Sequence, residues 1–306
     1  MSGLLVMATL AGCELEQVTV IEVEDVVIAE VYVSLAADPV DHELRAFLHR
    51  TLGSPGGNVE ALANASITVT RSDGVSFTLV NTPIDECVES APEGDLGACF
   101  LANPVETTML GPGDLLEVQI DLVEGGKIVG ATRVPGAFEL DRLPFMCRLE
   151  PNTLLPVKWS RAVGAWAYVN ETSIRGLRDA LAPEDISVED DPLYLLGISV
   201  SDTDTTIVFP SEFGVFNRFE LDPALAVRLQ EGLPAGARAE ITITAVDQNY
   251  VNWARGGNFN PSGQVRVPSL HGDGTGVFGS TVVRRFNAIS TNTVASGLQD
   301  CRPPGT

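Results

Sequence analysis

What constrains this chain most is a recurring pattern. Short runs alternate β-branched or apolar residues with polar ones, and each run is closed by Gly, Pro or Asp-Gly. Val26 to Leu35 (VVIAEVYVSL), Ala65 to Arg71 (ASITVTR), Leu115 to Leu122 (LLEVQIDL) and Lys127 to Val134 (KIVGATRV) all carry it. A period of two places alternate side chains on opposite faces of a strand, so one face is buried and the other solvated. Asp73-Gly74 between ASITVTR and VSFTLV, and Gly125-Gly126 between the next two runs, supply the turns of hairpins. Gly111-Pro112-Gly113-Asp114 marks a turn ahead of a strand.

The second half repeats the theme. Leu154 to Ser160 and Trp166 to Ile174 read as strands, with further strands at Tyr194 to Val200, Thr205 to Phe209 and Ala239 to Val246. Trp159 and Tyr168, placed on successive strands, suggest an aromatic pair in the core. Val40 to Leu52 fits helical and extended spacing alike and is assigned to a strand. Helices are few. Asp222-Pro223 is a strong helix start, with a carboxylate cap and a proline in the first turn, and Gly232 ends it. Asp247 to Arg255 is a second short candidate. The expectation is an all-β fold of two consecutive sandwiches. An immunoglobulin-like one spans 26–138, and a fibronectin type III-like one with short helices spans 139–301. A mobile tail, 302–306, follows. The chain's 306 residues suit two domains.

The amino terminus carries a separate signal. Leu4 to Ala11 is apolar and uncharged, and too short to cross a bilayer, which takes about 20 residues. It fits the apolar region of a secretory signal peptide. It ends in Leu10-Ala11-Gly12-Cys13, the pattern of a bacterial lipobox. Residues 1–12 are therefore expected to be removed and Cys13 to carry a diacylglycerol, with 13–25 as a tether. The basic residues usual ahead of such a segment are missing.

Export gives the remaining cysteines an oxidising setting, and their even number fits disulfides. Cys87 and Cys99 bracket a polar loop. Cys147 and Cys301 lie at the start and end of the second half. The expected pairs are Cys87–Cys99 and Cys147–Cys301. Composition narrows partners further: 19 basic against 41 acidic residues give a net charge of −22, which repels nucleic-acid phosphates and anionic lipids.

Signatures of catalysis are sparse. His42 and His49 are seven apart, which on a strand means opposite faces, and His271 lies in a Gly-rich turn. There is no Gly-x-Ser-x-Gly elbow. The loop His271 to Gly276 lacks the spacing of a phosphate loop. The acids Glu184, Asp185, Glu189, Asp190 and Asp191, with Asp202 and Asp204, offer oxygens of the kind calcium takes, but without EF-hand spacing. No cofactor or metal is expected. Tyr250 and Trp253, three apart on a short helix, would share a face that packs on the second domain or contacts a partner.

The order of several motifs resembles a known group. These are the lipobox, Asn64 to Thr70, Gly111 to Val118 before Thr132-Arg133-Val134-Pro135, Asn249-Tyr250-Val251-Asn252-Trp253, and Gly274 to Gly279. Together they resemble an uncharacterised family of Gram-negative outer-membrane lipoproteins, often encoded near TonB-dependent receptors. The resemblance implies a lipid-anchored envelope protein that binds or scaffolds without catalysis and is an accessory to such a receptor. Two other readings stand beside it: a surface glycan- or calcium-binding adhesion module, and a hydrolase with an unrecognised site.

Overall fold

The computed structural model describes residues 25–51, 59–87, 97–123, 125–199, 201–212, 222–255, 267–294 and 297–301. Cys13, the signal segment and the 302–306 tail lie outside them.

The first half forms seven strands: β1 (Val27–Leu35), β2 (Glu43–Arg50), β3 (Ser66–Arg71), β4 (Ser76–Thr82), β5 (Gly97–Ala102), β6 (Leu115–Asp121) and β7 (Lys127–Arg133). Two short helices, α1 (Val59–Ala63) and α2 (Pro104–Thr107), interrupt them. Asn103 caps α2, accepting from the Val105 amide at 2.9 Å. In the second half come β8 (Met146–Leu149), β9 (Leu155–Lys158), β10 (Ala167–Arg175), α3 (Leu177–Leu181), β11 (Leu193–Ile198) and β12 (Thr206–Phe209). They are followed by α4 (Pro223–Leu229), β13 (Arg238–Val246), α5 (Gln248–Arg255), β14 (Leu270–Gly272), β15 (Gly274–Ser290) and β16 (Gln299–Asp300).

The strand assignments survive, but the two-sandwich architecture does not. Strands β1, β2, β5, β4, β3, β6, β7, β14 and β15 follow one another in hydrogen-bonded order, and β15 returns to pair with β1. The result is a closed nine-stranded barrel. Its pairs are antiparallel except at the closing seam, where β1 and β15 run parallel from Val27↔Gly274 to Leu35↔Val282. Closure removes the exposed edges that an open sheet would present. The barrel is solid: Val31, Leu48, Ile67, Phe77, Phe100, Leu116, Ile120 and Phe278 fill it, each at most 1% exposed.

The 17 residues of β15 explain how the second unit attaches. Its first part closes the barrel, and from Thr281 to Ile289 it pairs with β13. Strand β13 then pairs with β10 and β10 with β11, while β8 takes the other side of β15 at Asn287 to Ser290. One continuous sheet thus leaves the barrel and becomes the base of a second layer. A ribbon of β9 and β12 lies over that base, with Trp159, Tyr168 and Phe138 in the core between. Trp159 and Tyr168 meet edge to face at 5.4 Å, but their strands lie in different layers rather than side by side as in a fibronectin-like sheet.

Both expected disulfides are present. Cys87–Cys99 and Cys147–Cys301 have Cα separations of 5.7 and 4.9 Å, within normal bridging range. Asp222 caps α4 by accepting from the Ala224 and Leu225 amides. No helix among the described residues is long and apolar enough to cross a membrane.

Candidate functional site

Among the places that gather polar side chains in this apolar framework, two stand out. They differ in whether those groups find partners.

The first lies where the three-residue β14 ends and β7 and β15 lose the strand between them. Helix α5 fills that gap with side chains. The Asn249 amide donates to Ala131 O on β7 and to Phe278 O on β15, at 2.9 Å each. Thr132 Oγ1 donates to Asp247 Oδ2 at 2.5 Å and lies 2.9 Å from Ser280 Oγ, which in turn reaches Arg133 O. Asp247 Oδ1 caps the helix by accepting from the Tyr250 amide at 2.9 Å. Asp247, Thr132 and Ser280 are all buried. Thr132, Ser280 and Asp247 bond to one another and to the helix, and Asn249 to both strands, so the cluster reads as a lock between helix and barrel. Desolvation pushes the Asp247 carboxyl above the usual carboxylate range.

That shift has a sign that can be tested. With a raised folded pKa, the folded protein keeps a proton that the unfolded chain releases near about pH 4. Stability contributed by Asp247 is therefore full below that ordinary value and falls as pH rises through the folded pKa. Asp247→Asn keeps the cap and can donate to Thr132 Oγ1. Urea titrations of the variant are expected to match or exceed wild-type stability at neutral pH, while its stability falls less than wild type between acid and neutral pH. A variant with the wild-type pH slope would show that Asp247 is not the source.

The same helix settles where Tyr250 and Trp253 lie. Tyr250 packs edge to face on Tyr32 of β1 at 5.8 Å, over Gly279 of β15, and burial is the chief cause raising the pKa of both phenols. Trp253 is buried at 9% exposure, and Val251 beside it packs on Ala167, Val169 and Val246.

The second place is a cleft of about 380 Å³ between the β9–β12 ribbon and the β10–β11 sheet. Asn170 on β10 pairs with Gly197 on β11, so the sheet contributes no side chain at Gly197 and the two layers part there. Asn170 and Gly197 form the floor with Ile243. Trp159, Thr206 and Ile207 come from the ribbon, and Ser199, Asp204 and Glu212 lie in the loops around them. Part of this lining is already engaged. Ser199 Oγ accepts from the Tyr168 amide at 2.8 Å and donates to Ser201 O, while Glu212 Oε2 accepts from the Val208 amide at 2.7 Å. Trp159 Nε1 and Asn170 Oδ1, on two residues of the lining, are sealed from solvent and have no hydrogen-bond partner in the protein. Thr172 Oγ1, next but one along the same face of β10, has none either. Thr172 lines a separate cleft with Tyr194, Glu240 and Arg285; an unmet buried polar atom costs about 1–3 kcal/mol wherever it lies.

Thr172, only 3% exposed, offers a direct check of that cost. Thr172→Val removes the unmet hydroxyl and keeps the shape. It is expected to raise stability by about 1 kcal/mol in urea titration; destabilisation would mean that the hydroxyl has a partner in solution.

The remaining candidates from the sequence are dispersed. His42 is buried, with Nδ1 3.3 Å from Thr107 O, rather than solvated on a strand, while His49 faces Glu30 on the outside of the barrel. His271 sits in the tight β14–β15 turn, where Asp273 Oδ2 accepts from the Lys127 amide. Three of the seven acids weighed for calcium are spent locally. Glu184 pairs with Arg228 at 2.8 Å, Asp191 accepts from the Gly176 and Arg178 amides, and Asp202 pairs with Arg161. Among the described residues no three His, Cys, Asp or Glu side chains converge as a metal site. Cys13 lies outside the described residues. Sequence reasoning missed the cleft. Its only trace is a polar Asn170 where the alternation of β10 calls for an inward apolar residue.

The fold and site therefore define a closed mixed β-barrel continued into a second sheet that bears a small polar-floored cleft. No family model matches the chain, and no curated protein does. Among solved structures it is similar to a DUF4785 family protein from Legionella pneumophila, with 9% identity over 70% of this chain and a TM-score of 0.20. It is also similar to trypsin-activated alpha-2-macroglobulin from Escherichia coli, with 10% identity over 88% of this chain and a TM-score of 0.22. The chain spans 51% of the first and 16% of the second.

Proposed function

We propose that this chain is a non-catalytic recognition module of the bacterial cell envelope, and that its cleft is where a ligand is held. The observation that carries this reading is the cleft itself, about 380 Å³ and lined by polar and apolar side chains from both layers. Envelope placement is supported by the lipobox ending in Cys13. An accessory role to a TonB-dependent receptor is supported by the family resemblance. The preference for binding over catalysis is supported by the separation of His42, His49 and His271, none of which lines the cleft.

The test has two arms. Mass spectrometry of the membrane fraction is expected to find the mature chain beginning at an acylated Cys13; an unmodified Cys13 on a soluble chain would remove the anchor. For the cleft, a small-molecule panel is screened by thermal unfolding. A ligand is expected that raises the melting temperature of wild type but not of Asn170→Leu, since binding to the folded state alone stabilises it. The ligand must also be recovered unchanged. Its recovery as a chemically altered product would replace recognition by catalysis.

A further inference from the structure

We infer that the solvent face of the second sheet is a docking surface for an acidic segment of a partner protein, whose carboxylates are held by Arg175 and Arg238. This face lies on the opposite side of β10 from the cleft, and a partner here is independent of any ligand there.

Strand register builds the surface. Arg175 on β10 lies directly opposite Arg238 on β13, Arg238 opposite Ile289 on β15, and Ile289 opposite Arg148 on β8. Arg148 in turn lies opposite Asp300 on β16. Residues paired in this way share one face of a sheet. The residues next to them, Ile174, Ala239, Ala288 and Cys147, are buried in the core, so the row of arginines points to solvent. Arg175 and Arg238 are both exposed. Helix α5 covers this face only toward the other end of β10, where Val251 packs on Ala167, Val169 and Val246.

The two ends of the row handle charge differently. At one end Arg148 meets the carboxylate of Asp300 at 2.6 Å and the Thr291 carbonyl at 3.3 Å. At the other, Arg175 and Arg238 face each other, a placement that puts Cβ atoms about 5 Å apart and is unfavourable for like charges. Among the described residues no hydrogen bond or ion pair reaches either guanidinium. Glu240, next but one to Arg238 on the same face, is paired with Arg285 at 3.5 Å. The chain has 41 acidic residues, and none of the described ones neutralises this pair.

Arg148 shows what fits such a site, since a carboxylate answers it in the same row. Adjacent guanidiniums present forks of N–H donors that match carboxylate oxygens two at a time. The next row along the sheet favours a protein as the carrier. It holds Ser173 and Asn287 with Tyr194, 66% exposed, and Met146, 46% exposed. Tyr, Met and Arg are the side chains enriched where protein surfaces meet. Nucleic acid and anionic bilayers bring many charges against a net −22, whereas a short acidic segment brings few.

The probe is a peptide of four consecutive glutamates between neutral flanks. It is titrated at low salt into the isotope-labelled full mature chain and followed by NMR. The glutamine version of the peptide, inorganic phosphate and phosphatidylglycerol vesicles are titrated in parallel. The expected result is saturable shifts on β10 and β13 with the glutamate peptide and none with the glutamine peptide. Arg175→Thr and Arg238→Thr are each expected to weaken binding at least about tenfold. Urea titration is expected to find each variant no less stable than wild type, because the opposed charge is gone. A clear loss of stability in both would mean that the protein itself partners these arginines and would overturn the inference. So would absence of glutamate-peptide binding, or binding undiminished in the folded variants. Shifts at the same strands with phosphate or vesicles but not with the peptide would replace the protein partner by a phosphate-bearing one. Wild-type dimerisation lost in both variants would make the occupant a second copy of this chain and overturn the assignment to a separate partner.

Discussion

Replacing Gly276 by valine is expected to open the barrel. Gly276 lies on the parallel seam opposite Ala29, with φ at +144°, and a Cβ there would stand 1.9 Å from the Ala29 carbonyl oxygen. Both the backbone conformation and the space exclude a side chain, and the obstacle is backbone, which cannot swing aside. The seam must part, and with it the parallel pairing of β1 with β15. A loss of about 3–5 kcal/mol places the variant among the most damaging single substitutions. Urea denaturation measures the loss, and hydrogen exchange is expected to show protection disappearing first from β1. Gly74 supplies the control. It also has positive φ, at +92°, but nothing lies within 4 Å of a Cβ. Gly74→Ala is expected to cost only about 1 kcal/mol. Equal effects of the two substitutions would show that the seam is not closed as described.

Removing the Cys147–Cys301 bridge is expected to be the costlier of the two disulfide losses. It joins residues 154 apart, against 12 for Cys87–Cys99. Chain-entropy reasoning gives about 5 kcal/mol for the long loop and about 3 for the short one. Structure adds to the difference. Cys147 and Cys301 are buried in the second core, and the bridge pins β16 alongside β8, itself held by β15. Arg148 and Asp300 pair at 2.6 Å beside it, an arrangement that depends on the tie. Denaturation of Cys147→Ala/Cys301→Ala, compared with Cys87→Ala/Cys99→Ala, measures both. A smaller loss for the long bridge would mean that the unfolded chain is already compact near these ends.

Much of the local structure could be read from residue order. Alternation placed β3, β6, β7, β10 and β13 within a residue or two, because a half-buried strand imposes its period whatever partner it finds. Glu43–Arg50 is a strand in spite of its helical spacing, since Leu44, Ala46 and Leu48 turn inward while Arg45, Phe47 and His49 turn outward. The Asp222 cap and the Asp73-Gly74 turn were legible because their chemistry is contained within a few residues. The cleft was not legible. Trp159, Asn170, Gly197 and Asp204 are ordinary residues on separate elements, and what marks two of them is the lack of a partner, which exists only in three dimensions.

By itself, then, the sequence determined that this protein is built of strands, where those strands turn, and that its cysteines suit two bridges. Each of these depends on neighbours along the chain. Tertiary structure alone decided that the strands close into a barrel instead of stacking as two sandwiches. A strand's alternation states which face is buried but not which edge it will meet, and the edge of β1 is met by β15, some 250 residues later. That pairing rests on Gly274 and Gly276, where the missing side chains let one backbone approach another, a contact whose two halves lie at opposite ends of the chain.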